Sequence, residues 1–208
     1  MLENASPSSR NLGGRPPEFD RDAVLAAAVF AFWKTGFKAT TVGDLETATG
    51  VDRSTLYKSF GGKNGLYQSA ADTYIAMASE QLFSALHDGT HGVEDILDFI
   101  NRLATSYLAG QPRGCFIVND MGTVDEFEAT TRYVEILQTG FSAALQRAAS
   151  TGQIPHDTVK PRCQFLTAAF IGINLAHRNM TDPEIAHNLM DGVRDEVAGW
   201  AAADPLWA

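Results

Sequence analysis

The chain has 208 residues, 45% of them hydrophobic and 20% charged, the composition of a soluble protein long enough to bury a real core. No apolar run approaches the roughly 20 residues of a membrane span, the N-terminus lacks the apolar segment of a secretory signal, and two cysteines are too few for a disulfide scaffold, so the expected location is the cytoplasm. The net charge of −9 argues at first against a nucleic-acid partner, but residues 1–70 carry eight Lys and Arg against seven Asp and Glu, while residues 71–208 carry eight against eighteen. A basic face acts within about a Debye length, ~8 Å at physiological salt, so the N-terminal third is still able to meet DNA.

Residues 1–17 are rich in Ser, Pro, Gly and Asn without periodicity, which reads as a disordered arm. Arg15, just before two prolines, is either part of a solvated tail or a basic contact to a minor groove or phosphate. Asp20 then caps a helix to about Thr35, with Val24, Ala27, Ala28, Ala31 and Phe32 on its inner face. Gly36 ends it, Phe37 packs at the corner, and Trp33 reads as core or as a domain contact. Thr41 and Asp44 make a first-turn capping signal for a second helix from about Val42, with Val42, Leu45 and Ala48 spaced for one buried face. Gly50 permits a sharp stop and Val51 plugs the corner. Asp52 caps a third helix to Phe60, with Leu56 and Phe60 inward. Arg53, Ser54, Thr55, Tyr57, Lys58 and Ser59 are left outward, a set of cations, hydroxyls and one phenol on a very short helix, suited to base edges and phosphates.

The run from Thr41 to Lys63, with its TxxDL, GVxxxTLYxxF and following GxK, resembles the DNA-binding domain of the TetR family of transcriptional regulators. In motif the resemblance covers roughly residues 14 to 70; beyond that it rests on length and helical layout. It implies an all-α fold of about nine helices, divided into an arm (1–17), a helix-turn-helix domain (18–64) and a ligand-binding and dimerisation domain (65–208). It also implies a homodimeric repressor released from its operator by a small molecule, with Thr41, Tyr57 and Lys63 beside the recognition helix and Tyr57 and Lys63 on phosphates. No cofactor or metal is implied.

Further along, a long helix is expected from Lys63 to about His87, broken by Asp88 and Gly89. Helices follow at about 93–109, 115–122, 126–150, 158–178 and 183–203, the last with Asp182 as cap and Pro183 at its first position. No HExxH, paired CxxC, GxSxG or P-loop is present, and five scattered histidines make no catalytic constellation, so no enzyme is expected. Among the aromatic and polar residues of the C-terminal part, Tyr107, Phe116, Asn119, Met121, Phe141, Phe170 and Asn174 are the candidates for an apolar pocket with a few polar groups.

Gly114, Cys115 and Asn119 are similar to a GCxxxN element of one branch of the family, some of whose members sense electrophiles through cysteine. Cys115 reads either as a small core thiol or as a sensor whose pKa a helix N-terminus lowers. Small residues including Ala169, Gly172 and Ala176 on the eighth helix, and Leu189, Val193 and Val197 on the ninth, read as core or as a four-helix dimer interface, the arrangement that the resemblance implies.

Overall fold

The computed structural model describes residues 19–108, 114–122, 128–179, 182 and 184–202; the N-terminal arm with Arg15, and Pro183, lie outside them. The helices are α1 (Arg21–Thr35), α2 (Val42–Thr49), α3 (Arg53–Phe60), α4 (Lys63–Ala78), α5 (Ser84–Asp88), α6 (Val93–Leu108), α7 (Phe116–Asn119), α8 (Glu128–Ser150), α9 (Val159–Asn179) and α10 (Glu184–Ala202). With α4 and α5 taken as one rod, the described residues form nine helices and no strand.

Local chemistry sets the boundaries of the first three. The Asp20 carboxylate accepts the amides of Asp22 and Ala23 at 3.0 and 3.3 Å, filling donors that the first turn of α1 leaves open. At α2 the capping box is complete: the Asp44 amide donates to the Thr41 hydroxyl (3.1 Å) and the Thr41 amide to the Asp44 carboxylate (2.8 Å). Gly50 takes a left-handed conformation at φ 69°, and two residues later Asp52 accepts the Thr55 amide at 2.8 Å to start α3. The Arg53 amide donates to the Glu46 carboxylate at 2.6 Å, a tie from α2 to α3 that capping rules do not foresee. The buried face of α2 is narrower than the spacing suggests. Leu45 is fully buried and Val42 partly, but Ala48 is exposed and Thr49 turns inward instead, because α3 packs against one edge of so short a helix.

The rod that begins at Lys63 is one axis with one defect. Between α4 and α5, Ser79–Phe83 form a wide π-helical turn, where the sequence reads as unbroken α-helix; such turns are frequent at functional sites. The turn seats Phe83 fully inside, 5.5 Å from Tyr133 and 5.8 Å from Phe99 between ring centroids. Beyond the rod, α8 packs along α9, α9 along α10, and α10 against α6. A buried ion pair, Arg147 to Asp95 at 2.9 Å, fastens α8 to α6, and the same guanidinium reaches the Leu86 carbonyl of α5. One continuous core runs from Val24 in α1 to Trp200 in α10. No described helix is long and apolar enough to cross a membrane.

Candidate functional site

Two features of the fold bear on function: the face of α3 and a cavity about α7. On α3, burial of Leu56 and Phe60 turns the opposite face out. Arg53, Ser54, Tyr57 and Lys58 are exposed, and Thr55 and Ser59 half-exposed. Tyr57 is 50% exposed, large for an aromatic ring without a partner to cover it, and the Arg53 guanidinium lies 5.7 Å from its centroid. Gly62, at φ 90°, backs the same ring; a Cβ there would stand 2.9 Å from it. Lys63 opens α4 with its ammonium 4.4 Å above the Phe37 ring. Burial lowers its pKa, and the nearby Asp120 carboxylate acts in the opposite direction. Thr41 is exposed beside this face, but its hydroxyl donates to Asp44 at 2.7 Å, which occupies its one hydrogen within the cap.

The cavity, about 210 Å³, opens between α1, α4 with its π turn, α6, α7, α8 and α9. Of the residues expected in a pocket, Tyr107, Phe170 and Asn174 line it, and so does Cys115. Phe116, Asn119, Met121 and Phe141 do not. Phe116 is fully buried between Tyr67 and Tyr74, at 5.2 and 5.3 Å. Phe141 packs on Phe99 at 5.3 Å beside a void of about 10 Å³, barely one water's worth. Asn119 lies where a Cβ on Gly114 would meet its side chain at 2.4 Å, and Met121 packs at the edge of the core. The walls that sequence reading missed are Trp33, Tyr74, Met77, Leu82, Tyr133 and His177. Tyr74 and Met77 of α4 and Leu82 of the π-helical turn fall at helical spacings in the sequence, a signal that does not distinguish a cavity wall from core.

Of the two readings of Cys115, its surroundings favour the small core thiol. It does sit at the N-cap of α7, but this helix is four residues long and the thiol is buried, 3% exposed. Burial raises its pKa. The hydroxyls of Tyr133 and Tyr74 and the amides of Val118 and Ile117 act in the opposite direction and do not offset it. A thiol held protonated is a poor nucleophile. The residues read as core or as a dimer interface divide by exposure. Ala176 and Val197 are 5% and 0% exposed within the subunit's own core, while the exposed apolar residues of α9 and α10 are Phe165, Leu175, Ile185 and Leu189. Gly172 is exposed, Ala169 and Val193 half-buried. Among the described residues, no group of three His, Cys, Asp or Glu could hold a metal ion.

Three side chains tie the head of the molecule to α7 and α9, which border the cavity. The Trp33 indole donates to the Gly114 carbonyl at 3.2 Å. The Arg178 guanidinium donates to the Lys34 carbonyl at 3.0 Å. Asp120, which caps the other end of α7, accepts the Phe37 amide at 3.2 Å and the Tyr67 hydroxyl at 3.0 Å.

A three-helix head with a polar, cationic short helix on a larger helical body is the architecture of a helix-turn-helix DNA-binding regulator. Residues 24–70 match the model of the bacterial regulatory proteins of the tetR family. The chain is 31% identical over 186 residues to the HTH-type transcriptional repressor ComR of Escherichia coli K12, covering 86% of this chain and 89% of that one. It is 26% identical over 113 residues to the HTH-type transcriptional repressor BdcR of the same organism, covering 54% and 57%. In fold it is similar to the TetR family regulator CifR, a cysteine mutant of which is complexed with a 26-bp double-strand operator DNA (TM-score 0.74, 20% identity, 92% of this chain and 100% of that one). It is similar also to the reduced form of E. coli NemR (TM-score 0.71, 19% identity, 84% and 95%). The chain belongs to the TetR family of transcriptional regulators, which are not enzymes.

Proposed function

We propose that this protein is a homodimeric transcriptional repressor that grips a palindromic operator through α3 and releases it when a small molecule occupies the cavity. In this reading residues 18–64 are the DNA-binding domain, residues 65–208 bind ligand and dimerise, and the arm of residues 1–17 carries Arg15 toward the DNA. Arg53, Ser54 and Thr55, in the first turn of α3, face base edges. Tyr57, Lys58, Ser59 and Lys63 lie nearer the phosphates, with Thr41 beside them. Such a protein works in the cytoplasm, where chromosomal DNA is.

The observation that carries the reading is Trp33. This side chain belongs to α1 of the head, yet it forms a wall of the cavity and is hydrogen-bonded to Gly114 at the start of α7. An occupant that pushes Trp33 or Gly114 shifts the last turn of α1, and Asp120 and Arg178 are tied to the same stretch. Losing the neutral Trp33–Gly114 hydrogen bond is worth about 0.5–1.5 kcal/mol, comparable with a typical allosteric coupling of roughly 1–3 kcal/mol. Support for a dimer comes from Phe165, Leu175, Ile185 and Leu189, four large exposed apolar side chains on two neighbouring helices. With Ala169, Gly172 and Val193 beside them, they would make the contact between subunits.

The test is a footprint of the purified protein on the intergenic DNA beside its own gene. A protected palindrome supports the reading. No protection at near-physiological salt, or a protected site without symmetry, overturns it.

A further inference from the structure

The lining of the cavity defines a chemical class for its occupant, an inference that rests on the reading of this cavity as the effector site. Trp33, Tyr74, Tyr107, Tyr133 and Phe170 supply five aromatic rings, and no Lys, Arg, Asp or Glu lines it among the described residues. The His177 Nδ1 accepts the Gly114 amide at 3.0 Å. Most polar groups in the wall are already engaged. The Tyr74 hydroxyl donates to the Cys115 sulfur and the thiol to Tyr133, both at 3.3 Å. Asn174 donates to the Phe170 carbonyl at 2.9 Å and Ser106 to that of Leu103 at 2.7 Å. Tyr107 differs. Its ring is stacked on His177 with centroids 3.8 Å apart, and its hydroxyl is buried without a partner. Buried hydroxyls ordinarily have one.

We propose that the cavity takes a small, uncharged aromatic ketone or aldehyde whose carbonyl oxygen accepts a hydrogen bond from Tyr107. The size fits, since about 210 Å³ is below the roughly 300–1,000 Å³ of sites for drug-sized ligands. The aromatic walls suit a flat ring. Among the described residues of the lining, an anion would find no Lys or Arg. A cation would find rings to lie on, but no carboxylate among the described residues, and it would leave the Tyr107 hydroxyl without an acceptor. Of these classes, a neutral acceptor takes a hydrogen bond from the buried Tyr107 hydroxyl without bringing a charge into the cavity.

Calorimetric titration of the full-length protein with four matched probes separates these classes: acetophenone, ethylbenzene, benzoate and phenyltrimethylammonium. Acetophenone binds most tightly, and Tyr107→Phe, which keeps the ring stacked on His177, weakens it by about 2- to 12-fold while leaving ethylbenzene unchanged. Tighter binding of benzoate or phenyltrimethylammonium, no binding of any probe, or an equal loss for every probe on Tyr107→Phe overturns the proposal. Operator binding is measured separately on the same samples. If acetophenone binds with this dependence on Tyr107 while the operator stays held, the effector reading fails and the ligand class stands.

Discussion

Raising the pH loosens this fold through one thiol. Burial raises the pKa of Cys115 in the folded protein, whereas in the unfolded chain a cysteine titrates near 8.5. A raised folded value means that the folded state prefers the protonated form, so the stability it confers is intact below about pH 8.5 and is lost as the pH climbs toward the folded value. At pH 10 the thiol of the unfolded chain is about 1.5 units past its midpoint, so at ~1.4 kcal/mol per unit the loss has a ceiling of about 2 kcal/mol, reached only where the folded thiol is still fully protonated. Tyr67, Tyr74 and Tyr133 are likewise raised, chiefly by burial. Their unfolded counterparts begin to ionise only near pH 10, adding about 1 kcal/mol between them. For a protein of this size, ~1 kcal/mol is roughly 2–4 °C in melting temperature, so these groups lower it between pH 7 and pH 10 by no more than about 12 °C. Cys115→Ser keeps a hydroxyl for Tyr74 and Tyr133 but does not titrate, and its melting temperature falls less, by a margin of up to about 8 °C. Scanning calorimetry of both proteins at pH 7, 8, 9 and 10 gives the comparison. The difference between them cancels the lysines, including Lys63, whose own pKa burial lowers. Equal pH slopes in the two proteins would refute a neutral buried thiol and restore Cys115 as an ionised, reactive group.

Lys63→Ala weakens binding to all DNA sequences alike and flattens the dependence of log K on log salt by about one unit per subunit, measured by anisotropy across a salt series; an unchanged slope would remove Lys63 from the phosphate contacts. Gly172→Glu leaves the subunit folded, since a Cβ there meets nothing within 4 Å, but gives monomers by light scattering and loses operator affinity; a stable dimer would place the interface elsewhere. Asp120→Ala leaves the Phe37 amide and the Tyr67 hydroxyl without their carboxylate and costs about 1–3 kcal/mol for each in thermal or urea unfolding; a loss below about 1 kcal/mol would show that the carboxylate does not fasten α7 to the head.

What could be read from the sequence was local. The caps Asp20, Thr41 with Asp44, and Asp52 each lie within three residues of the amides they satisfy, so the ends of α1, α2 and α3 follow from short-range chemistry, and so does the outward set on α3. Phase along a helix is less secure. Leu175 is exposed and Ala176 buried, a difference of one residue and about 100° of rotation, fixed by how α9 beds on α8 and α10. The cavity is the least legible feature. Its walls come from positions as far apart as Trp33 and His177, and each residue taken alone looks like core. For Cys115, the sequence places it at a helix start, where backbone amides do act on the thiol. Only the fold reveals that Tyr74 and Tyr133 enclose it and that desolvation wins.

The central claim is that α3 reads DNA in symmetric pairs, and a binding selection on fully randomised DNA with wild type and Arg53→Ala tests it most directly. Wild type should enrich a palindrome whose half-sites are one helical turn, about 34–36 Å, or a multiple of it apart. The Arg53 guanidinium stands exposed in the first turn of α3, where it can pair with the two acceptors of a guanine. Its removal should therefore cost about 1–3 kcal/mol per half-site and erase preference at one symmetric base-pair position while the others persist. Enrichment of an asymmetric site, or of none, would contradict the claim, as would an Arg53→Ala protein that selects the wild-type site unchanged.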